Sequence, residues 1–169
     1  HGYSVLAPDL PGHSLSGGTA FTSIEQSGPW LVEFLEQARV KQVHVVGHSQ
    51  GFLSALELYK LKPEMCLSIC AIGTADAIPV NQALIDTAKD SSDKAAHMMC
   101  NWGFGPSAHQ GMSSVPGMQP IAISRAIMSR NPLAADLQAC ADYVAGSEIA
   151  ASITAPRHCI LATADKMTP

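Results

Sequence analysis

The sequence predicts an α/β protein: a mostly parallel sheet with flanking helices, interrupted by a helical insert. Three observations carry that prediction. Short apolar runs alternate with amphipathic stretches over residues 3–74, which is the rhythm of βαβ units. The run Gly47-His48-Ser49-Gln50-Gly51 lies between an apolar run and a helical pattern. Residues 75–146 then abandon the rhythm and read as helices and loop alone.

The elements follow in order. Tyr3–Ala7 is a short apolar strand, and Pro8 to Gly18 a turn-rich loop. Thr22 or Ser23 caps the next helix, whose apolar stripe is Ile24, Leu31, Phe34, Leu35 and Ala38. Pro29 marks its true start or a kink. Gln42 to Val46 is a strand that reads as buried at most positions, as parallel strands do. A helix follows Ser49 and ends near Lys60 to Lys62, before Pro63. Met65 to Ile72 is the next strand. Val80 to Asn101 is a helical stretch broken near Ser91-Ser92, and Gly103 to Gly117 a loop. Pro120 to Arg130 and Leu133 to Val144 are two further helices, and Arg157 to Ala162 returns as a strand. The core is thus expected in 1–74 and 147–169, with 75–146 as a helical cap over the sheet.

Gly-x-Ser-x-Gly between strand and helix is a nucleophile elbow, a sharp turn that lifts one hydroxyl from the carboxyl end of a sheet strand. Strain in such a turn fixes the hydroxyl and lowers the cost of aligning it. A side chain at Gly47 or Gly51 is expected to crowd the strand-to-helix crossing. The backbone N–H of Gln50, free at the helix start, is the expected first oxyanion donor. His48 is too close in sequence to serve as base and reads as a neighbour of the turn. His44 reads as a strand side chain pointing at a helix. In the insert, Met98, Met99, Met112, Met118, Trp102 and Phe104 could line a pliable apolar pocket or simply form the core of the insert. His13 lies in a loop at the same end of the sheet as Ser49 and could reach that pocket. His97 and His109 could touch a substrate from the insert.

Composition narrows the function. Only 14% of residues are charged and the net charge is −4, with the cations scattered, so nucleic acid is not an expected partner. Five cysteines without a C-x-x-C pair fit reduced thiols in a cytoplasmic setting. No apolar run reaches the ~18 residues a membrane span needs. No metal-ligand spacing and no phosphate loop is present, so no cofactor or metal is expected.

The chain resembles the α/β-hydrolase fold superfamily, in its helical-cap, serine-esterase-like branch. Tyr3-Ser4-Val5-Leu6-Ala7-Pro8-Asp9-Leu10-Pro11-Gly12-His13 is similar to that family's fourth strand and following loop, with Ser14 where many members carry glycine. Gly47 to Gly51 resembles the elbow after the fifth strand. Ile160 to Pro169 resembles the seventh strand and its acid loop, with Thr163 where members often carry glycine. The resemblance implies a partial α/β-hydrolase fold in which Ser49 is the nucleophile and Asp165 the triad acid. It implies a catalytic histidine beyond residue 169 and a second oxyanion donor before residue 1, so this piece alone is expected to be inactive. The implied reaction is cleavage of a carboxylic ester or related acyl bond in a small, largely apolar substrate. Carbon–carbon bond hydrolysis, or ligand binding without turnover, are the alternatives. A sheet trimmed at its edges exposes apolar surface, which a homo-oligomer could cover.

Overall fold

The structure, a computed structural model, describes residues 2–168. His1, and Pro169 at the end of the acid-loop motif, lie outside the described residues. Three parallel strands form the sheet: β1 (Val43–His48), β2 (Cys66–Ile72) and β3 (Arg157–Ile160), in that spatial order. The register pairs Val46 with Cys70 and Cys70 with His158.

Helix α1 (Ser27–Gln37) follows a short 3-10 turn, Ile24–Gln26. Gln26 Oε1 accepts from the backbone N–H of Thr22 and Ser23 at 2.7 and 3.2 Å, which closes the entry to the helix. Pro29 sits in the first turn of α1, where its missing N–H costs nothing. Helix α2 (Gln50–Leu61) crosses from β1 to β2 and is buried along eight consecutive residues, Phe52–Tyr59. Its buried acid, Glu57, accepts from the Tyr143 hydroxyl at 2.8 Å and faces Lys60 at 3.3 Å, so the charge is not left unpaired.

Between β2 and β3 the chain makes six helices: α3 (Gln82–Asp90), α4 (Ser92–Gly103), α5 (Pro106–His109), α6 (Pro120–Met128), α7 (Leu133–Asp142) and α8 (Gly146–Ser152). Ser91 caps α4 by accepting from Lys94 N–H, which explains the break between α3 and α4. Two apolar clusters result. One, around Leu53, Leu56 and Ile69, joins the sheet to α1, α2 and α8. The other, around Ile85, Ala95 and Leu137, holds the cap helices together. Helix α7 feeds both, with Leu137 in the second and Cys140 and Tyr143 in the first.

Four readings of the sequence need correction. Tyr3–Ala7 forms no strand. No strand among the described residues lies beside it to complete a ladder, and Tyr3 and Val5 stay 76% and 83% exposed. Strand β1 is not buried at most positions. It alternates, because helices cover only one face, and Val46 on the other is 64% exposed. His44 lies on that open face, not under a helix: its Nδ1 is 2.8 Å from Ser68 Oγ, and its ring meets Tyr3 edge-on. The loop at 103–117 contains the short helix α5, and α8 occupies Gly146–Ser152, where the sequence reading placed no element. Ser14, in the position of a family glycine, has φ 47°, so a serine holds the left-handed conformation that glycine adopts freely.

Candidate active site

The elbow is built from β1 and α2. Ser49 has φ 51° and ψ −127°, a conformation that non-glycine residues rarely hold. Two bonds over-determine it. Ser49 N–H donates to Ile72 C=O at 3.2 Å, and the Thr74 hydroxyl donates to Ser49 C=O at 3.0 Å. Gly47 is buried, and a Cβ there would stand 2.4 Å from Phe52 Cα and 2.7 Å from Gly51 C=O. Gly51 differs: a Cβ there would meet nothing within 4 Å, so the crowding expected on both sides of Ser49 occurs on one. As the first residue of α2, Gln50 has no intrahelical acceptor for its N–H.

Asp165 lies in the turn after β3. Its Oδ1 accepts from Met167 N–H at 2.8 Å and Thr168 N–H at 3.0 Å, and its Oδ2 from the Thr168 hydroxyl at 3.1 Å. These bonds, the Thr168 N–H above all, hold its carboxyl below the usual carboxylate range, and the adjacent His48 adds to the effect. Gly73, with φ 48°, ends β2 between them. A Cβ on it would lie 3.6 Å from the His48 ring and 3.8 Å from Asp165 Oδ2. His48 is therefore an exposed neighbour of the acid, across the end of β2.

A cavity of about 960 Å³ opens above these residues. His48, Ser49, Gln50, Asp165 and Lys166 line it from the sheet side, and Leu84, Trp102, Phe104, Ile127 and Leu137 from the cap side. Of the residues singled out in the sequence, the structure thus brings Ser49, Gln50, Asp165, Trp102 and Phe104 to one cavity. Met98 is not in the lining. It packs on the cap cluster, as does Met99, which with Cys100 and Trp102 of the same helix also lines the cavity. His13 is not in the lining either. Its Nδ1 is 3.0 Å from Pro11 C=O and its Nε2 3.0 Å from Asp136 Oδ2, so it stands behind Asp136, which is in the lining. Burial pulls the His13 pKa down, but the bond to Asp136 and the Pro11 carbonyl outweigh it and the pKa is raised. His97 and His109 line a separate groove beside the Asp93–Arg125 ion pair. Asn81, Asn131 and Asp136 are lining residues that sequence reasoning missed, since lone polar residues at helix ends read as caps.

Parallel strands, a Gly-x-Ser-x-Gly turn at their carboxyl end and a helical cap over the opening are the architecture of α/β hydrolases. The sequence model of the Alpha/beta hydrolase family matches residues 1–169, and the chain belongs to that family. Over 80 residues the chain is 35% identical to the dihydrolipoyllysine-residue acetyltransferase component of an acetoin cleaving system from Cupriavidus necator, covering 45% of this chain and 21% of that protein. A thermophilic esterase superposes with TM-score 0.72 at 25% identity over 95% of this chain and 62% of that one. The enol-lactonase from Burkholderia xenovorans gives 0.79 at 18% identity, over 94% and 62%. A hydrolase from Pseudomonas aeruginosa gives 0.76 at 19%, over 93% and 60%. The chain therefore spans less than two thirds of each of these proteins.

Proposed function

We propose that the protein is a serine hydrolase that cleaves a carboxylic ester or a related acyl bond. One observation carries the reading: Ser49 sits in a strained, positive-φ turn at the mouth of a helix, facing a capped cavity. Its Oγ attacks the acyl carbon while a histidine accepts the hydroxyl proton. The developing oxyanion takes the N–H of Gln50. The bond to the alcohol breaks, the histidine returns the proton to the departing oxygen, and water then cleaves the acyl-serine by the same route. Asp165, kept ionised by its turn, orients that histidine. In this reading residues 75–146 are the cap and 1–74 with 147–169 the core. The substrate is small to medium and largely apolar, and no cofactor takes part. The likeness to a thermophilic esterase at 25% identity supports the class of reaction. We further propose a cytoplasmic setting, where its five free thiols stay reduced.

The test is a nitrophenyl ester offered to the intact protein. A burst of nitrophenol followed by slower turnover is expected, and Ser49→Ala should remove at least about a thousandfold of it. Equal turnover in the two proteins would end the assignment. A second reading rests on Asp165, whose described partners are all within its own turn: a ligand-binding protein on this fold, recognised by tight binding without a burst.

A further inference from the structure

The cap side of the cavity is apolar except for a few polar side chains, and two of these are held in a way that fixes what they offer. Asn131, in the turn between α6 and α7, accepts the Ser14 N–H on its Oδ1 at 3.0 Å. Asn81, the cap of α3, accepts the Ala83 N–H on its Oδ1 at 2.8 Å. A backbone N–H is received only by the amide oxygen, so both side chains are locked with their nitrogens free. Each nitrogen carries two N–H donors, and among the described residues neither has an acceptor. Both residues line the same cavity as Ser49, and α3 packs against α7. Asn131 is half-buried and Asn81 exposed, so the cap-side lining includes two amides with hydrogen-bond donors to spare.

The charge at that wall is also constrained. Asp136 lines the cavity, and both its oxygens lie within 3.1 Å of His13 Nε2. His13 Nδ1 faces the Pro11 carbonyl, which can only accept, so that nitrogen holds a proton. The other nitrogen faces a carboxylate, which favours a proton there as well; the pair is then neutral, and it is negative once that proton leaves. It offers no free cation to a ligand anion. Lys166, beside Asp165 at the sheet side, is the cation in the lining.

We infer that the cavity takes an ester bearing a second, uncharged oxygen acceptor, a ketone or amide carbonyl, received by the Nδ2–H groups of Asn131 and Asn81. The ester itself rests on the Ser49 reading above; the second acceptor does not. An apolar cavity with no donors would disfavour the added carbonyl, because burying it unpaired costs free energy. A preference for the carbonyl is therefore diagnostic.

The experiment measures binding to the intact protein carrying Ser49→Ala, so that no turnover intervenes. The probes are ethyl hexanoate, its oxo-derivatives with the ketone at successive carbons, and the ethyl half-ester of adipic acid. Calorimetry reads the affinity, and quenching of Trp102, which lines the cavity, reads the location. At least one oxo-ester should bind roughly three- to tenfold more tightly than ethyl hexanoate. Asn131→Asp and Asn81→Asp keep an oxygen for the Ser14 and Ala83 N–H groups but remove the donors. Their combination should bring the ratio to about one. The inference is overturned if ethyl hexanoate binds as tightly as every oxo-ester, if the preference survives the double substitution, or if the half-ester carboxylate is the tightest ligand. Absence of a burst in the Ser49 protein, with the oxo-preference intact, would instead overturn the hydrolase reading and leave this one standing.

Discussion

Gly47 and Gly51 flank Ser49 at equal distance along the chain, yet only one of them is enforced by its surroundings. The added Cβ at Gly47 would collide with the Phe52 backbone at 2.4 and 2.5 Å. That backbone belongs to α2, which is buried from Phe52 to Tyr59 and cannot retreat without disturbing the core. Gly47→Ala should therefore cost more than about 3 kcal/mol or prevent folding. Gly51 stands in the first turn of α2 with open space around it. Gly51→Ala should be neutral or stabilising by about 0.5–1 kcal/mol, since alanine loses less backbone freedom on folding. Urea unfolding midpoints of the two variants check this, and equal losses would contradict the geometry described. The five-residue motif made the elbow legible in the sequence, and with it Ser49 and Gln50. The asymmetry was not legible, because it depends on where the helix leaves the turn. The same holds for Asn131: its role as a wall of the cavity arises from Ser14, a residue 117 positions away.

Elements bounded by strong punctuation were read well. Pro63 closes α2, Ser91 separates α3 from α4, and Pro120 opens α6. Helices α5 and α8 were missed because four and seven residues carry too little periodicity to stand out. Tyr3–Ala7 has strand composition but no paired strand among the described residues, and a ladder is a property of pairs. A tie between elements is harder still to foresee. The loop at 9–18 is fastened to α7 by His13 and Asp136, with both side chains mostly buried (14% and 16% exposed). The folded pKa of His13 is raised above its ordinary value, so the fold favours the protonated ring. Its contribution to stability is complete below about pH 6.5 and is lost as pH rises through the folded pKa. Thermal midpoints of the parent and of Asp136→Asn should therefore converge as pH increases through that window. A constant difference between them from acid to alkaline pH would show that the tie does not titrate.

At the scale of the whole molecule, the floor and the roof of the cavity belong to parts of unequal firmness. The floor is the end of β1 and the start of α2, set in the larger cluster with Leu53 and Leu56 fully buried. The roof is α4, α6 and the turn before α7, and it rests on a smaller cluster in which three of the seven buried side chains are alanines. Neither α5 nor α6 contributes a buried residue, and Ile123 and Ile127 on α6 are 48% and 55% exposed. Displacing α5 and α6 uncovers no fully buried side chain of their own, so the local free energy of opening there should lie far below that of global unfolding. Helix α7 couples the two parts, since Leu137 packs in the roof while Tyr143 is bonded to Glu57 in the floor. Hydrogen exchange followed by mass spectrometry should then show three tiers. Amides of β1, β2 and α2 should exchange slowest, those of α7 next, and those of residues 104–119 and of α6 within the fastest group. If α6 were as protected as α2, the roof would be part of the core, and a ligand could not enter by displacing it. The graded pattern instead means that a rigid serine waits beneath helices that separate at low cost, so admission of a ligand need not disturb the strained turn that holds the hydroxyl.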